Sequence, residues 1–298
     1  MTVALAQTTR DLVTVSGPDA ATYLQGQLSQ DVAGLAVGAS APAFVLAPQG
    51  KVEGWGRVHR RAEDHFVIDV DPGAGEAWET RLRRFLLRTK AEITTTPEVG
   101  MVALRGDGAA ELCRTAGQLS GTGEDSGWLE AHWPGTEGRD LIGASPEVIA
   151  SLVEAEAVRI GAEDLEARRI RAGVPRWGAE LDVDTIPAAA GQWVIDASVS
   201  FTKGCYTGQE LVARVDSRGN NVPRRLEGLI VDGVAPMVGT AITVDGEVVG
   251  SVTSSASDSS SGRAVALAYV ARAVSVPSEV HIGDWPARLE NLPMVAAD

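Results

Sequence analysis

A cysteine, a lysine and two glycines lie together in the segment KGCYTGQE, residues 203–210. Thr207 fits the N-cap position of a helix, and Glu210, three residues further on, completes a capping box. Cys205 would then lie just ahead of a helix N-terminus and close to Lys203, and both positive potentials stabilise a thiolate. The segment therefore predicts a reactive thiol. The same residues also allow a small buried side chain at a tight turn, because unpaired cysteines are among the most buried residues.

The rest of the chain offers few other reactive arrangements. It contains no phosphate-binding loop of the G-x-x-x-x-G-K-[ST] type, no G-x-G-x-x-G fingerprint and no G-x-S-x-G nucleophile elbow. The second cysteine, Cys113, has no C-x-x-C partner and is predicted to fill the core beneath a helix. We expect no metal site, because no standard ligand spacing occurs among the four scattered histidines, which are His59, His65, His132 and His281.

Charge and composition narrow the class of protein further. The 298 residues include 26 basic and 40 acidic side chains, for a net charge of −14. Such a surface repels a polyanion, so binding of nucleic acid through bulk charge is excluded. Two cysteines cannot build a disulfide scaffold, and the N-terminal residues lack the pattern of a secretory signal. We therefore expect a cytoplasmic protein with reduced thiols.

The elements that position these residues are predicted to form an α+β body. An apolar stripe of Leu24, Leu28 and Val32 predicts a first helix that closes at Gly34. A three-stranded meander and a second helix, Glu76 to Arg88, are expected next. Further strands and helices follow, and they include a helix at 109–116, one opened by Ser145-Pro146-Glu147, and one at 162–172 that stops at Gly173.

After Pro223 only short strands are predicted, at a close spacing typical of a small β-barrel or sandwich. Within this part the serine-rich stretch 254–262 is predicted to be a mobile loop. We therefore expect an α+β body at residues 1–223, made of two intertwined subdomains with the second beginning near 98–145. A C-terminal β-barrel is expected at 224–298.

Several segments together resemble one known family. KGCYTGQELVAR, residues 203–214, looks like the signature of the YgfZ-type folate-binding proteins, the iron-sulfur-cluster branch of the glycine cleavage T-protein (aminomethyltransferase) superfamily. Further similarity lies in the opening at 15–32, the hairpin PQGKV at 48–52 and the closing barrel at 249–270. The resemblance covers nearly the whole chain and implies three domains in a ring around a central, folate-sized cavity.

The resemblance also assigns roles to individual residues. Arg169 matches the arginine that holds the glutamate tail of tetrahydrofolate, and a guanidinium suits a carboxylate. Asp140 aligns loosely with the acid that accepts hydrogen bonds from the pterin ring, and Gln209 lies within the signature. On this basis Arg169, Asp140 and Gln209 are predicted to bind tetrahydrofolate or a one-carbon derivative. Cys205 is predicted to be the functional thiol, with Lys203 lowering its pKa.

Three functions follow as hypotheses. The first is a tetrahydrofolate-binding accessory protein that supports iron-sulfur cluster assembly or repair and, indirectly, tRNA modification. Its partners would be iron-sulfur proteins or assembly factors, and it would be a monomer with no direct contact to membrane or nucleic acid. The second is a folate-dependent aminomethyl or one-carbon transferase, although residues 68–76 lack the family's Lys-Asp pair. The third is a non-catalytic interaction protein with the same fold.

Overall fold

The body of the protein is built on one mixed sheet with helices packed against it. The computed structural model describes residues 2–120, 127–219 and 221–294. In the part of the chain described, the sheet order is β2-β3-β4-β1-β5-β7-β6, with β8 beside β1. These strands are β1 (Ala4–Ser16), β2 (Ser40–Leu46), β3 (Val52–Ala62), β4 (His65–Val70), β5 (Glu92–Arg105), β6 (Trp128–Glu130), β7 (Gly138–Ile142) and β8 (Val158–Arg159).

The two longest strands of the body, β1 and β5, pair with each other over nearly their whole length and run through both halves of the sheet. The register shifts between Arg10 and Leu12, which leaves Asp11 in a bulge. The buried Asp11 carboxylate accepts hydrogen bonds from the backbone N–H groups of Gly73 (2.9 Å) and Gly75 (3.0 Å). The bulge therefore fixes the start of the helix that follows β4.

Two apolar cores lie on either side of this bulge. Trp78, Phe66 and Ile68 are fully or almost fully buried in the first, while Leu104 and Leu152 belong to the second. Cys113 is buried in the second core, as predicted from the sequence. The helices that cover the sheet and link it to the C-terminal part are α1 (Ala20–Gln27), α2 (Gly75–Arg83), α3 (Ala109–Ser120), α4 (Pro146–Glu154), α5 (Ala162–Ala172), α6 (Gln192–Ser198) and α7 (Gln209–Asp216).

Six strands after residue 223 form a closed barrel in the order β10-β11-β12-β9-β14-β13. Its core is aliphatic, and closure removes the exposed strand edges. The barrel and the α+β body confirm the predicted fold class. Among the described residues no helix has both the length and the apolar character needed to span a membrane. The barrel strands are β9 (Arg224–Val231), β10 (Ala241–Val244), β11 (Glu247–Asp258), β12 (Arg263–Ala271), β13 (Ser278–Ile282) and β14 (Trp285–Glu290).

Two helices end earlier than the sequence predicts. The first was expected to reach Gly34, but α1 ends at Gln27, because Leu28 turns into extended backbone and bridges to Val45 of β2. Helix α2 ends at Arg83, well before the expected end at Arg88. At the end of α1 a tertiary contact thus replaces the further turns that the apolar spacing favours, whereas after Arg83 the chain continues in local turns, with Phe85 donating to Leu82 and Leu86 to Arg83.

The predicted mobile loop at 254–262 is wrong for its first half. Strand β11 continues to Asp258 and pairs with β12. The Ser254 hydroxyl donates to the Glu180 carboxylate at 2.6 Å, and Arg171 donates to Asp258 at 2.6 Å. Buried acceptors therefore hold a serine-rich segment whose composition alone favours a loop.

Candidate functional site

A cavity opens between the sheet of the body and the segment that follows α5. The strands β1, β3, β4, β5 and β7 bring charged side chains to its wall, and Val174 and Pro175 line it on the other side. Its volume is about 110 Å³. An engineered cavity of about 150 Å³ takes benzene, so this space alone is too small for a folate, which would have to extend through the open side. Arg176, whose side chain is 45% exposed, marks the open side.

The predicted pterin-binding acid, Asp140, lies in this wall and is held by two arginines. Arg57 Nη1 donates to its Oδ2 at 2.8 Å, and Arg105 Nη1 donates to its Oδ1 at 2.8 Å. Burial alone would raise the pKa of Asp140, but Arg105 and Arg57 outweigh it and hold the pKa below its ordinary value. Asp140 is therefore an ionised carboxylate with both oxygens already engaged.

A second carboxylate in the same wall, Asp69, joins the rest of the network. It accepts from Arg57 Nε at 2.9 Å and from Arg10 Nε at 3.0 Å, and it also contacts His59 Nε2. Burial would raise the pKa of Asp69, but Arg57 and Arg10 lower it well below the ordinary value. Asp71 is bound in turn by Arg10 and by the backbone N–H of Trp177.

Arg169, the predicted ligand of the folate tail, also lines the cavity, but most of its donors point away from it. Glu166 accepts from its Nε at 2.8 Å and from its Nη2 at 2.7 Å, and Glu180 accepts from Nη1 at 3.1 Å. The other oxygen of Glu180 accepts from the hydroxyls of Thr253 (2.7 Å) and Ser254 (2.6 Å) in the barrel. This chain of contacts joins the cavity wall to the barrel.

The cavity wall also carries aromatic side chains. The Arg105 guanidinium lies 4.0 Å from the centre of the Trp133 ring, and Trp55 adds a second aromatic side chain. His132 Nε2 and Arg105 Nε are buried without a hydrogen-bond partner, but neither atom is accessible from the cavity. Arg176, at the open side, pairs with Glu166 at 3.4 Å. Flat walls and an arginine at the open side suit a planar ring with an anionic tail.

Five arginines line the cavity, and the sequence predicts a role for only one of them, Arg169 on α5. Three others lie on strands of the sheet, Arg10 on β1, Arg57 on β3 and Arg105 on β5, while Arg176 follows α5. No local pattern in the sequence marks the three strand arginines as neighbours. Arg81 and Arg171 do not reach the cavity: Arg81 is buried against Glu53 and the carbonyl of Leu46, and Arg171 binds Asp258 in the barrel.

The predicted thiol segment forms a separate site at the far end of α1. The ammonium of Lys203 donates to three backbone carbonyls, those of Gln25 (2.5 Å), Leu28 (2.6 Å) and Gln30 (3.0 Å). Burial lowers the pKa of Lys203 to about 8. Lys203 therefore anchors the loop to the end of α1, and the neighbouring Cys205 is exposed.

The helix after this cysteine begins later than predicted. Thr207 is not the N-cap: α7 starts at Gln209, and Gly208 precedes it in the left-handed conformation, with φ of 83°. A side chain at Gly208 would begin 2.5 Å from the carbonyl oxygen of Ala47, so only glycine fits. The side chain of Gln209 accepts from the backbone N–H of Tyr206 at 3.1 Å, which satisfies a donor inside the loop.

The structure thus brings together only some of the predicted site residues. Asp140 and Arg169 share the cavity, whereas Cys205, Lys203 and Gln209 do not line it. Both sites border the hairpin of β2 and β3: the turn after Leu46 packs on Gly208, and Trp55 and Arg57 of β3 face the cavity. The sequence predicts no role for His132, which is one of four scattered histidines, but the residue lines the cavity. No local pattern in the sequence indicates that position.

Three comparisons with known proteins agree with this architecture. Residues 224–293 match the model of the glycine cleavage T-protein C-terminal barrel domain. The aminomethyltransferase of Rubrobacter xylanophilus is 31% identical over 94% of this chain and 80% of its own length. The tRNA-modifying protein YgfZ of Pectobacterium carotovorum is 30% identical over 70% of this chain, and the match spans 65% of that protein.

A solved structure has the same fold over nearly the whole chain. The glycine cleavage system aminomethyltransferase T from Bartonella henselae superposes with a TM-score of 0.77 and covers 99% of this chain and 86% of its own, at 22% identity. Fold, barrel and relatives together define a member of the glycine cleavage T-protein superfamily. Within it the chain belongs to the YgfZ type, as the KGCYTGQE segment indicated.

Proposed function

We propose that this protein binds tetrahydrofolate, or a one-carbon derivative of it, and supports iron-sulfur cluster assembly or repair through Cys205. Its link to tRNA modification would run through the cluster enzymes it serves. The observation that carries the proposal is the exposed thiol of Cys205 in a loop that Lys203 and Gly208 hold firmly in place. An exposed thiol on a fixed loop can meet a partner protein without any rearrangement of the fold.

The cavity supports the folate part of the proposal. Trp55 and Trp133 line it, so a ring that enters from the open side would lie against aromatic side chains, and Arg176 lies at that side, where a glutamate tail would emerge. Arg169 remains the other candidate for the tail, although Glu166 and Glu180 already occupy most of its donors. Bound tetrahydrofolate would supply the one-carbon carrier, while the protein would supply the binding surface.

Calorimetry with tetrahydrofolate tests this binding directly. We expect saturable one-to-one binding, and Arg176→Ala should weaken it by about tenfold, which corresponds to the loss of one charge-assisted contact. Tetrahydropterin, which lacks the tail, should bind both proteins equally. Failure of every reduced folate to bind would reject the folate part of the proposal and favour an interaction protein that keeps the fold without the ligand.

A complementation experiment tests the thiol. In cells that lack this protein, Cys205→Ala should fold and bind tetrahydrofolate normally but fail to restore the activity of a cluster-dependent tRNA-modifying enzyme. Thr202→Ala is the matched control, because Thr202 is an exposed residue of the same loop. Full restoration by Cys205→Ala would reject the role of the thiol.

Aminomethyl transfer remains the second candidate, because a relative named aminomethyltransferase matches 94% of the chain. The charges of the cavity count against it. Asp69 and Asp140 are held as ionised carboxylates by arginines, so neither can donate a proton near neutral pH. Conversion of tetrahydrofolate to its methylene form by the purified protein, with an added S-aminomethyl thiol as the one-carbon donor and release of ammonia and the free thiol, would support this candidate instead if Asp71→Asn abolished it.

A further inference from the structure

A strongly basic segment ends helix α2 and continues beyond it. Residues 81–90 read RLRRFLLRTK, with five basic side chains and no acidic one, in a chain whose net charge is −14. Two of the five, Arg81 and Arg83, have acidic partners. The other three are exposed, and in the described part of the chain no carboxylate pairs with any of them: Arg84, Arg88 and Lys90. Residues 84–90 therefore form a basic turn with unpaired charges.

Apolar side chains are exposed among these cations. Leu87 is 86% exposed, and no other large apolar side chain of the described residues is as exposed. Phe85 is 40% exposed, whereas Leu82 and Leu86, which alternate with them, pack into the core of the body. Exposed apolar side chains bordered by charged ones are typical of surfaces that contact another protein.

Contacts with α1 hold the basic turn in place. Before its start, the Tyr23 hydroxyl donates to the carbonyl of Leu82. At its end, the backbone N–H of Lys90 donates to the Asp19 carboxylate at 2.7 Å, and the Lys90 carbonyl accepts from the Asp19 N–H at 3.3 Å. The turn is therefore a preformed surface along α1, and a partner can bind it without first ordering a loop.

The thiol loop lies close to the start of the basic turn. The Arg81 guanidinium lies 4.4 Å from the centre of the Phe85 ring and donates to the carbonyl of Leu46 at 2.9 Å. Gly208, three residues after Cys205, packs against the same Leu46. A protein contact of ordinary size covers about 800 Å² on each partner. One partner can therefore contact the basic turn and the thiol loop together.

The composition of the basic turn selects the class of partner. Unpaired guanidinium and ammonium groups bind carboxylates or phosphates. The exposed Leu87 needs an apolar side chain beside those anions, and the phosphate backbone of a nucleic acid offers none. The net charge of −14 also repels a long polyanion, whereas a short acidic segment contacts only the turn. An acidic protein segment is therefore favoured over RNA.

We propose that the basic turn docks an acidic segment of the protein that Cys205 serves. The segment carries Asp or Glu side chains for Arg84, Arg88 and Lys90, and an apolar side chain for Leu87. The role given to Cys205 rests on the proposed function, whereas the docking of the segment requires no folate.

Disulfide exchange at Cys205 tests the docking. The probe is a synthetic peptide of Glu and Leu residues with a terminal cysteine on a glycine linker, activated as a mixed disulfide with thionitrobenzoate. The Cys205 thiolate attacks the peptide sulfur, a Cys205–peptide disulfide forms, and the thionitrobenzoate anion leaves and is measured by its colour. Cys113 is buried and does not compete in the folded protein.

The control peptide has Gln in place of Glu. We expect the acidic peptide to react about tenfold faster at low salt, with an advantage that shrinks as salt is added. Without docking the order of the two rates should be reversed, because the protein as a whole is acidic and repels the acidic peptide.

Two double variants separate the basic turn from overall charge. Arg84→Glu with Arg88→Glu should abolish the advantage of the acidic peptide. Arg114→Glu with Arg288→Glu makes the same change in net charge at arginines that are 51% and 57% exposed elsewhere, and it should keep the advantage. The rate with iodoacetamide, which is neutral, corrects each variant for the reactivity of the thiol itself.

A single variant tests the apolar contact. Leu87→Ser should slow the reaction of the acidic peptide but not that of a version with Ala in place of Leu, because only the leucine peptide loses a contact. Equal slowing of both peptides would show that Leu87 does not meet an apolar side chain and would overturn that part of the proposal.

The remaining outcomes are distinguishable. No advantage for the acidic peptide, or an equal loss in both double variants, would overturn the docking and leave folate binding untouched. RNA bound by the wild type and lost in Arg84→Glu with Arg88→Glu, with no peptide advantage, would overturn the choice of a protein partner. Full restoration of the cluster enzyme by Cys205→Ala would reject the proposed function, while the peptide rates would still decide the docking.

Discussion

The cavity wall and the thiol loop use charge in opposite ways. In the wall, Asp69 and Asp140 are buried and bound by several arginines, so each charge depends on its neighbours. In the loop, Lys203 donates to three neutral backbone carbonyls, and Cys205 is exposed. Changing one member of the wall leaves other buried charges only partly compensated, whereas the loop presents one side chain that can be changed alone.

Removal of one charge from the wall should have the largest effect. Asp69→Asn removes a buried counter-ion that Arg10 and Arg57 share, so that Asp71 and Asp140 compensate their charges only in part, and breaking such a buried pair typically costs about 3–5 kcal/mol of unfolding free energy. Urea unfolding measures the loss. Asp184→Asn is the control, because Asp184 is 83% exposed in its pair with Lys51 and should cost at most about 1 kcal/mol. Equal losses in the two variants would remove the distinction between wall and surface.

Acid should neutralise the same carboxylates. Arginines lower the pKa values of Asp69 and Asp140 in the folded state. The pKa of an aspartate in the unfolded chain is about 3.9. Their stabilisation is therefore complete above that pH and is lost as the pH falls through the lower, folded values. The stability difference between wild type and Asp69→Asn should stay constant from pH 7 to 5 and shrink below pH 4. A difference that shrinks already at pH 6 would contradict this account.

Loss of the loop's anchor should have an intermediate effect. Lys203→Met leaves the carbonyls at the end of α1 without their donor, which we expect to cost about 1–3 kcal/mol in urea unfolding. Lys51→Met, at an exposed lysine, is the control and should change little. A loss no greater than in that control would show that the three contacts do not hold the loop.

The exposed thiol should matter least for stability. Cys205→Ser is expected to change the unfolding free energy by no more than about 0.5 kcal/mol, since the side chain is at the surface. In the native protein iodoacetamide should modify Cys205, while Cys113, 4% exposed, should react only on unfolding. Mass spectrometry of the two peptides measures this, and equal rates of modification would refute the comparison.

Local sequence patterns predicted those elements whose ends are set by their own residues. Helix α5 begins and ends at the predicted residues, because Gly173 takes the left-handed conformation that ends a helix. The start of β1 carries no such local signal, since Ala4, Leu5 and Ala6 are all buried and lack the alternation that marks a half-exposed strand. Helix α1 ends before the predicted Gly34, and Lys203, far along the chain, binds the carbonyls of Gln25 and Leu28 at this end. The local sequence carries no signal for such a distant contact.

The site was predictable only in part. The motif around Cys205 is continuous in sequence, so its residues could be named before the structure was known. The cavity wall gathers Arg10, Arg57, Arg105 and Asp140 from four separate strands, and no local spacing reveals such a meeting. Asp140 was found through resemblance, but its arginine partners, which determine what it can do, were not.

The contact of Glu180 with the barrel has a consequence for synthesis of the chain. Its carboxylate is fully buried, and it holds Arg169 on one oxygen and the hydroxyls of Thr253 and Ser254 on the other. A nascent chain that has reached α7 lacks those hydroxyls, so the wall behind Arg169 is finished only once β11 has left the ribosome. Ligand binding would then report that translation is nearly complete.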